Sequence, residues 1–204
     1  MDKLTDLQED ALIEAFNISI GKAAASLNAM VQEEIMLTVP RFEISEATEA
    51  AKSLKLDRTQ DICYVSQKFK GKYFSTDALL LFAEKGSLEL MRTVLGSDIS
   101  LDEVGDMEQE AMKETGNVLL NACVGSLANI INDEILGSLP EIVKCSVDEL
   151  TNIWKTNNKG KALLILYVDF KVESKNILGY VVFLIELNSL GDFVDEVINN
   201  FMVV

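Results

Sequence analysis

Apolar residues recur every three or four positions along two long stretches, the spacing of a helix with one buried side. In the first, Leu12, Ala15, Phe16, Ala23 and Leu27 share a side, which predicts a helix over residues 5–30. Thr5 and Gln8 have the spacing of a capping box at its start. The second stretch predicts a helix over 102–131, with 100–106 joining it to what precedes. Elsewhere the pattern shifts to β-branched, apolar runs. These predict strands at 35–39 and 41–44, at 63–70 and 73–82 around Gly71, and at 162–172 and 177–187. Shorter helices are expected from Ser87 to near Gly96, over 150–154, and over 190–200, with Ser87 and Ser189 as N-caps. Residues 157–160 (NNKG) read as a turn, and Met30 and Met36 as core or strand residues.

The order of elements repeats. The two prolines, Pro40 and Pro140, lie 100 positions apart. At that shift, residues 10–40 and 110–140 agree at Ala11, Glu14, Asn17, Ser26, Leu27, Glu34, Ile35 and Pro40, eight of 31 positions. Chance would give about two. The later segments 77–96 and 179–198 also follow one plan. The chain is therefore an internal duplication, with halves of about 1–100 and 101–204. The fold class expected is α/β (α+β): one domain with pseudo-two-fold symmetry, two long helices lying against a shared, mostly antiparallel sheet.

Composition narrows the chemistry. The 204 residues carry a net charge of −15 and no histidine. An acidic surface disfavours nucleic acid and anionic membranes. Without histidine there is no Ser-His or Cys-His nucleophile pair and no imidazole metal ligand. Cys63, Cys123 and Cys145 are far apart and read as buried free thiols in a reducing cytosol. The polar start of the chain is not a signal peptide and no apolar run has the length of a membrane span, so a cytoplasmic protein is expected. The acidic pairs Asp102/Glu103 and Asp195/Glu196 have no convergent ligand set behind them, and no metal or cofactor is expected on this chain. Lys68, Lys70 and Lys72 read as a solvated strand face, and Trp154 as a packing or surface residue.

The polar side of each long helix is less ordinary. At about 100° per residue, Asp10, Glu14 and Asn17 form one narrow stripe, and Glu110, Glu114 and Asn117 repeat it. Glutamate and asparagine three residues apart can meet one partner. Asparagine is a poor mid-helix residue, and a plain solvated face would use lysine, glutamine or glutamate. Its recurrence in both halves favours use over a plain solvated face, with shared ancestry alone as the other reading. Gly21 and Asn121 stand at equivalent places, where close approach of a partner and helix packing are equally good readings.

An acidic or serine residue, three residues, Glu, two residues, Asn, 22 residues and Pro resembles the signature of the CheC/CheX/FliY family of response-regulator phosphatases. Here it reads Asp10, Glu14, Asn17 and Pro40, then Glu110, Glu114, Asn117 and Pro140, the second copy opening with Glu rather than Asp or Ser. Two copies in about 200 residues are most similar to CheC. The resemblance implies a phosphatase of a phosphorylated CheY-type receiver, which supplies its own Mg²⁺ and lysine. It implies that Asn17 and Asn117 orient the attacking water, that Glu14 and Glu114 pair with the receiver lysine, and that Asp10 and Glu110 are peripheral contacts. A carboxamide can hold the water with no general base, which suits a chain without histidine. Pro40 and Pro140 are then structural, ending a strand or shaping a turn. The resemblance also leaves a binding module open: the FliM middle domain has this fold without the Glu/Asn pairs, and CheC proteins bind CheD, through a region that here is 141–154 with Asp148 and Glu149. A monomer is expected, because the duplication imitates a dimer.

Overall fold

The computed structural model describes residues 4–30, 34–46, 54, 56–95, 101–157, 161–172 and 175–201. In chain order these form α1 (Asp6–Asn28), β1 (Ile35–Glu46), β2 (Asp61–Lys70), β3 (Thr76–Ala83), α2 (Glu84–Leu95) and α3 (Leu101–Ile130). There follow β4 (Leu136–Gly137), β5 (Glu141–Ser146), α4 (Val147–Asn157), β6 (Lys161–Val172), β7 (Lys175–Glu186) and α5 (Leu187–Phe201). Most of the NNKG turn lies outside the described residues.

The strands make one seven-stranded sheet in the order β1-β6-β7-β3-β2-β4, with β5 also on β2, and the strand pairs among the described residues are antiparallel. The duplication shows in the pairing. The two central strands, β3 and β7, pair across the middle. Each half then lends its edge strand to the other: β1 pairs with β6, while β4 and β5 pair with β2. The expected α+β architecture is thus present, and neither half closes its own sheet edge.

Both faces of the sheet are covered, which is why its strands are apolar nearly throughout. Cys63, Val65 and Phe69 of β2 face one side, under α1, α2, α3 and α5, in a core that includes Phe16, Leu120, Phe183 and Phe193. Ile62 and Tyr64 face the other, where α4 inserts a buried Trp154. Burying one such large side chain contributes about 2 kcal/mol.

Pro40 does not end a strand. It lies within β1, where the pairing with β6 shifts between Thr38 and Arg41. Proline donates no backbone hydrogen bond, so an irregularity on an edge strand is where a sheet tolerates it. Pro140 stands between β4 and β5. That gap is bridged by Ser138, whose N–H donates to the Lys68 carbonyl (2.8 Å) and whose Oγ accepts from the Lys68 N–H (3.0 Å). Several expectations need correction. Ser87 lies three residues inside α2, and Ser189 inside α5, so neither is an N-cap. Met36 is in β1 but points outward, and Met30 is also exposed. The β5 strand has no counterpart among the expected elements.

Candidate functional site: two Glu/Asn faces

The capping box at Thr5 is formed. Thr5 Oγ1 accepts from the Gln8 N–H (3.3 Å) and Gln8 Oε1 from the Thr5 N–H (2.9 Å). This fixes the start of α1, and with it the direction of every side chain after it. Leu12, Ala15, Phe16, Ala23 and Leu27 are completely buried, so Asp10, Glu14 and Asn17 are turned to solvent, all three exposed. Phe16 sits between helix and sheet, edge-on to Phe42 of β1 at 5.4 Å between ring centres. One turn beyond Asn17 stands Gly21, where a Cβ would meet nothing within 4 Å.

On α3 the same stripe meets different surroundings. The residue equivalent to Phe16 is Gly116, and a Cβ there would lie 2.6 Å from Cβ of Val65 in β2. The glycine therefore lets the helix backbone close onto the sheet. Glu110 and Glu114 remain exposed, but Asn117 is half-buried. Its Oδ1 accepts from Asn121 Nδ2 at 2.8 Å and, at the long end of hydrogen bonding, from Gln67 Nε2 at 3.5 Å. Asn121 Nδ2 also donates to the Asn117 backbone carbonyl (2.7 Å) and to Gln67 Oε1 (3.3 Å), and Gln67 Nε2 to the Ser138 carbonyl (2.7 Å).

The α1 face has no such set. The registers Ser66 with Glu141 and Tyr167 with Arg41 make Val168 the counterpart of Gln67, as Gly21 is of Asn121. Val168 is completely buried, and among the described residues no hydrogen bond engages the Asn17 side chain. No ion pair among the described residues engages Glu14 or Glu114 either, which leaves both carboxylates to solvent.

The start of α3 is anchored by a buried charge. Glu108, 1% exposed, pairs with Lys144 of β5 and accepts a hydrogen bond from Ser87 Oγ at 2.8 Å. The hydrogen bond from Lys144 to Glu108 holds the Lys144 amine above its ordinary range, although burial works against it. Burial also pushes the thiols of Cys63 and Cys123 up to about 12, so neither is a nucleophile near neutral pH. All three cysteines are free. Among the described residues no three Cys, Asp or Glu side chains converge as a metal-ligand set, and no helix is long and apolar enough to cross a membrane.

A pocket of about 570 Å³ lies beside α4 and is lined by Tyr64, Leu79, Leu139, Ile153, Trp154 and others, with no residue of either Glu/Asn pair. A smaller hollow of about 250 Å³ runs along α3 from Asn121 past Val124 and Ala128 to Asp133. Of the groups around Asn117, Asn121 is visible in the sequence as a second asparagine one turn on. Gln67 also left a signal, a polar residue at an inward-facing place between Val65 and Phe69.

No family model matches the chain. In sequence it is 22% identical over 158 residues to the flagellar motor switch phosphatase FliY of Bacillus subtilis, a match over 73% of this chain and 39% of that protein, so the aligned part spans well under half of the relative. In fold it is similar to Thermotoga maritima FliY, with a TM-score of 0.79 at 17% identity over 98% of this chain and 100% of the other. The FliM middle domain of H. pylori gives 0.57 at 10% identity, covering 95% and 99%. A chain of the CheX–CheY–BeF3–Mg²⁺ complex of Borrelia burgdorferi gives 0.50 at 17% identity, covering 85% and 97%.

Proposed function

We propose that this chain is a phosphatase of the CheC/CheX/FliY type, which hydrolyses the aspartyl phosphate of a CheY-type receiver. The observation that carries the reading is the pair of solvent-facing glutamates, each with an asparagine one turn on, at equivalent places on two helices. An acyl phosphate is already activated, and its hydrolysis depends on positioning and electrostatics. Asn17 and Asn117 hold a water in line with phosphorus. Glu14 and Glu114 pair with the receiver lysine through charge-assisted hydrogen bonds that set the register. Asp10 and Glu110, further along each stripe, touch the receiver's edge. The receiver brings the Mg²⁺ and the lysine, so the acidic stripes need only complement that basic site.

The flanks of the stripes fit a protein partner. Leu7 and Met107, equivalent by the duplication and carried on the same two helices, are 53% and 50% exposed. Apolar residues beside a polar centre are the composition of a docking surface. The narrower likeness to CheC rests on the two motif copies; a cytoplasmic place and a monomeric state belong to the same reading, and CheD binding belongs to the binding-module alternative. A second reading is a non-catalytic scaffold of the flagellar-switch type, which the likeness in fold to the FliM middle domain favours.

The test is decay of a phosphorylated CheY-type receiver with wild-type protein and with the Asn17→Ala/Asn117→Ala double variant. Faster decay with wild type, lost in a double variant that still binds, is the expected result. Binding without faster decay by wild type would make the chain a scaffold.

A further inference from the structure

We propose that Asn121 and Gln67 are positioning residues that lock the Asn117 carboxamide in one orientation, leaving the α3 face preorganised and the α1 face loose. The proposal rests on the phosphatase reading. The orientation of each amide follows from partners that can only accept. A backbone carbonyl accepts, so the group of Asn121 that faces the Asn117 carbonyl at 2.7 Å is its Nδ2. By the same reasoning the group of Gln67 that faces the Ser138 carbonyl at 2.7 Å is its Nε2. Both donors also face Asn117, at 2.8 and 3.5 Å. A flipped Asn117 would set its own NH₂ against two other NH₂ groups, so Oδ1 points inward and Nδ2 points out.

The exposed group of Asn117 is thus a fixed donor. A water that accepts from it through one lone pair keeps the other for attack on phosphorus. Holding the donor in place beforehand removes the entropy otherwise lost when a free side chain is fixed in the transition state. On α1 neither lock exists: Gly21 has no side chain, and the counterpart of Gln67 is the apolar Val168. Gly116 completes the arrangement, since the close approach it permits at Val65 is what brings β2 within reach of Asn117.

The experiment uses the full chain carrying Asn17→Ala, so that only the α3 face works, with and without Asn121→Ala. Alanine at this exposed helical site favours the helix, so a fall in activity does not report unfolding. The expected result is a fall in kcat of about fivefold, the worth of one side chain's rotamer freedom, with KM for the phosphorylated receiver unchanged. In the ¹⁵N spectrum the separate Asn117 side-chain amide signals should move toward the values of a freely rotating asparagine. An active Asn17→Ala protein whose kcat is indifferent to Asn121→Ala would overturn the proposal and leave the phosphatase reading standing. An inactive Asn17→Ala protein beside an active wild type would overturn it by placing all catalysis on α1. An inactive wild type would remove the phosphatase reading, and the proposal with it.

Discussion

The helices α1 and α3 carry the same Glu and Asn at the same spacing, yet they sit on the sheet differently. A phenyl ring, Phe16, stands between α1 and β1, whereas Gly116 lets α3 touch Val65. The consequence reaches the chemistry. Asn17 is exposed and without a partner among the described residues, and Asn117 is half-buried and held by two other amides. A duplicated motif therefore does not make duplicated surroundings. What surrounds the motif, one turn on and on the facing strand, decides how firmly its asparagine is aimed.

The comparison breaks most severely if the spacer under α1 is removed. Phe16→Ala empties a completely buried site and should cost about 3–5 kcal/mol in chemical denaturation. The anchor of α3 comes next. Lys144→Met leaves the buried Glu108 carboxylate without its cation and should cost about 2–3 kcal/mol, reduced from the usual figure for a buried pair because Lys144 is 36% exposed. Its pH dependence has a definite sign. The folded-state amine titrates above its ordinary value because of Glu108, so this stability is whole below the usual lysine range. It should drain away as pH rises through the raised value, and the wild-type melting temperature should fall there more steeply than that of Lys144→Met. Gly116→Ala is a smaller change, about 1–2 kcal/mol, because Val65 can yield only in part to a Cβ at 2.6 Å. It should also free the Asn117 side-chain amide by lifting α3 from β2, visible as faster amide exchange. The smallest effect sharpens the contrast from the other side. Gly21→Asn has open space and copies half of the α3 lock, so in an Asn117→Ala background it should raise kcat by up to about fivefold.

Much of this was legible in the chain. The periodic apolar side of α1 and the Thr5–Gln8 capping box are local signals, and both are present in the structure. The duplication was readable because its marks, the Glu/Asn pairs and the prolines, hold fixed spacings. The exchange of edge strands between halves was not, since pairing of β1 with β6 joins residues 116 to 137 positions apart and leaves no periodic trace. Ser87 shows how a local rule gives way. Its hydroxyl suits an N-cap, but it bonds the Glu84 carbonyl and the buried Glu108 instead, a partner 21 residues on. The Gln67–Asn121 set was hidden for the same reason. Each amide leaves a trace in its own element, but only packing at Gly116 brings them to Asn117.

The most direct test of unequal sites sets Asn17→Ala beside Asn117→Ala, each assayed for the rate at which it dephosphorylates a CheY-type receiver under saturating conditions. The account predicts that Asn117→Ala loses the larger share of activity, about fivefold more than Asn17→Ala. Equal losses, or a larger loss from Asn17→Ala, would contradict it.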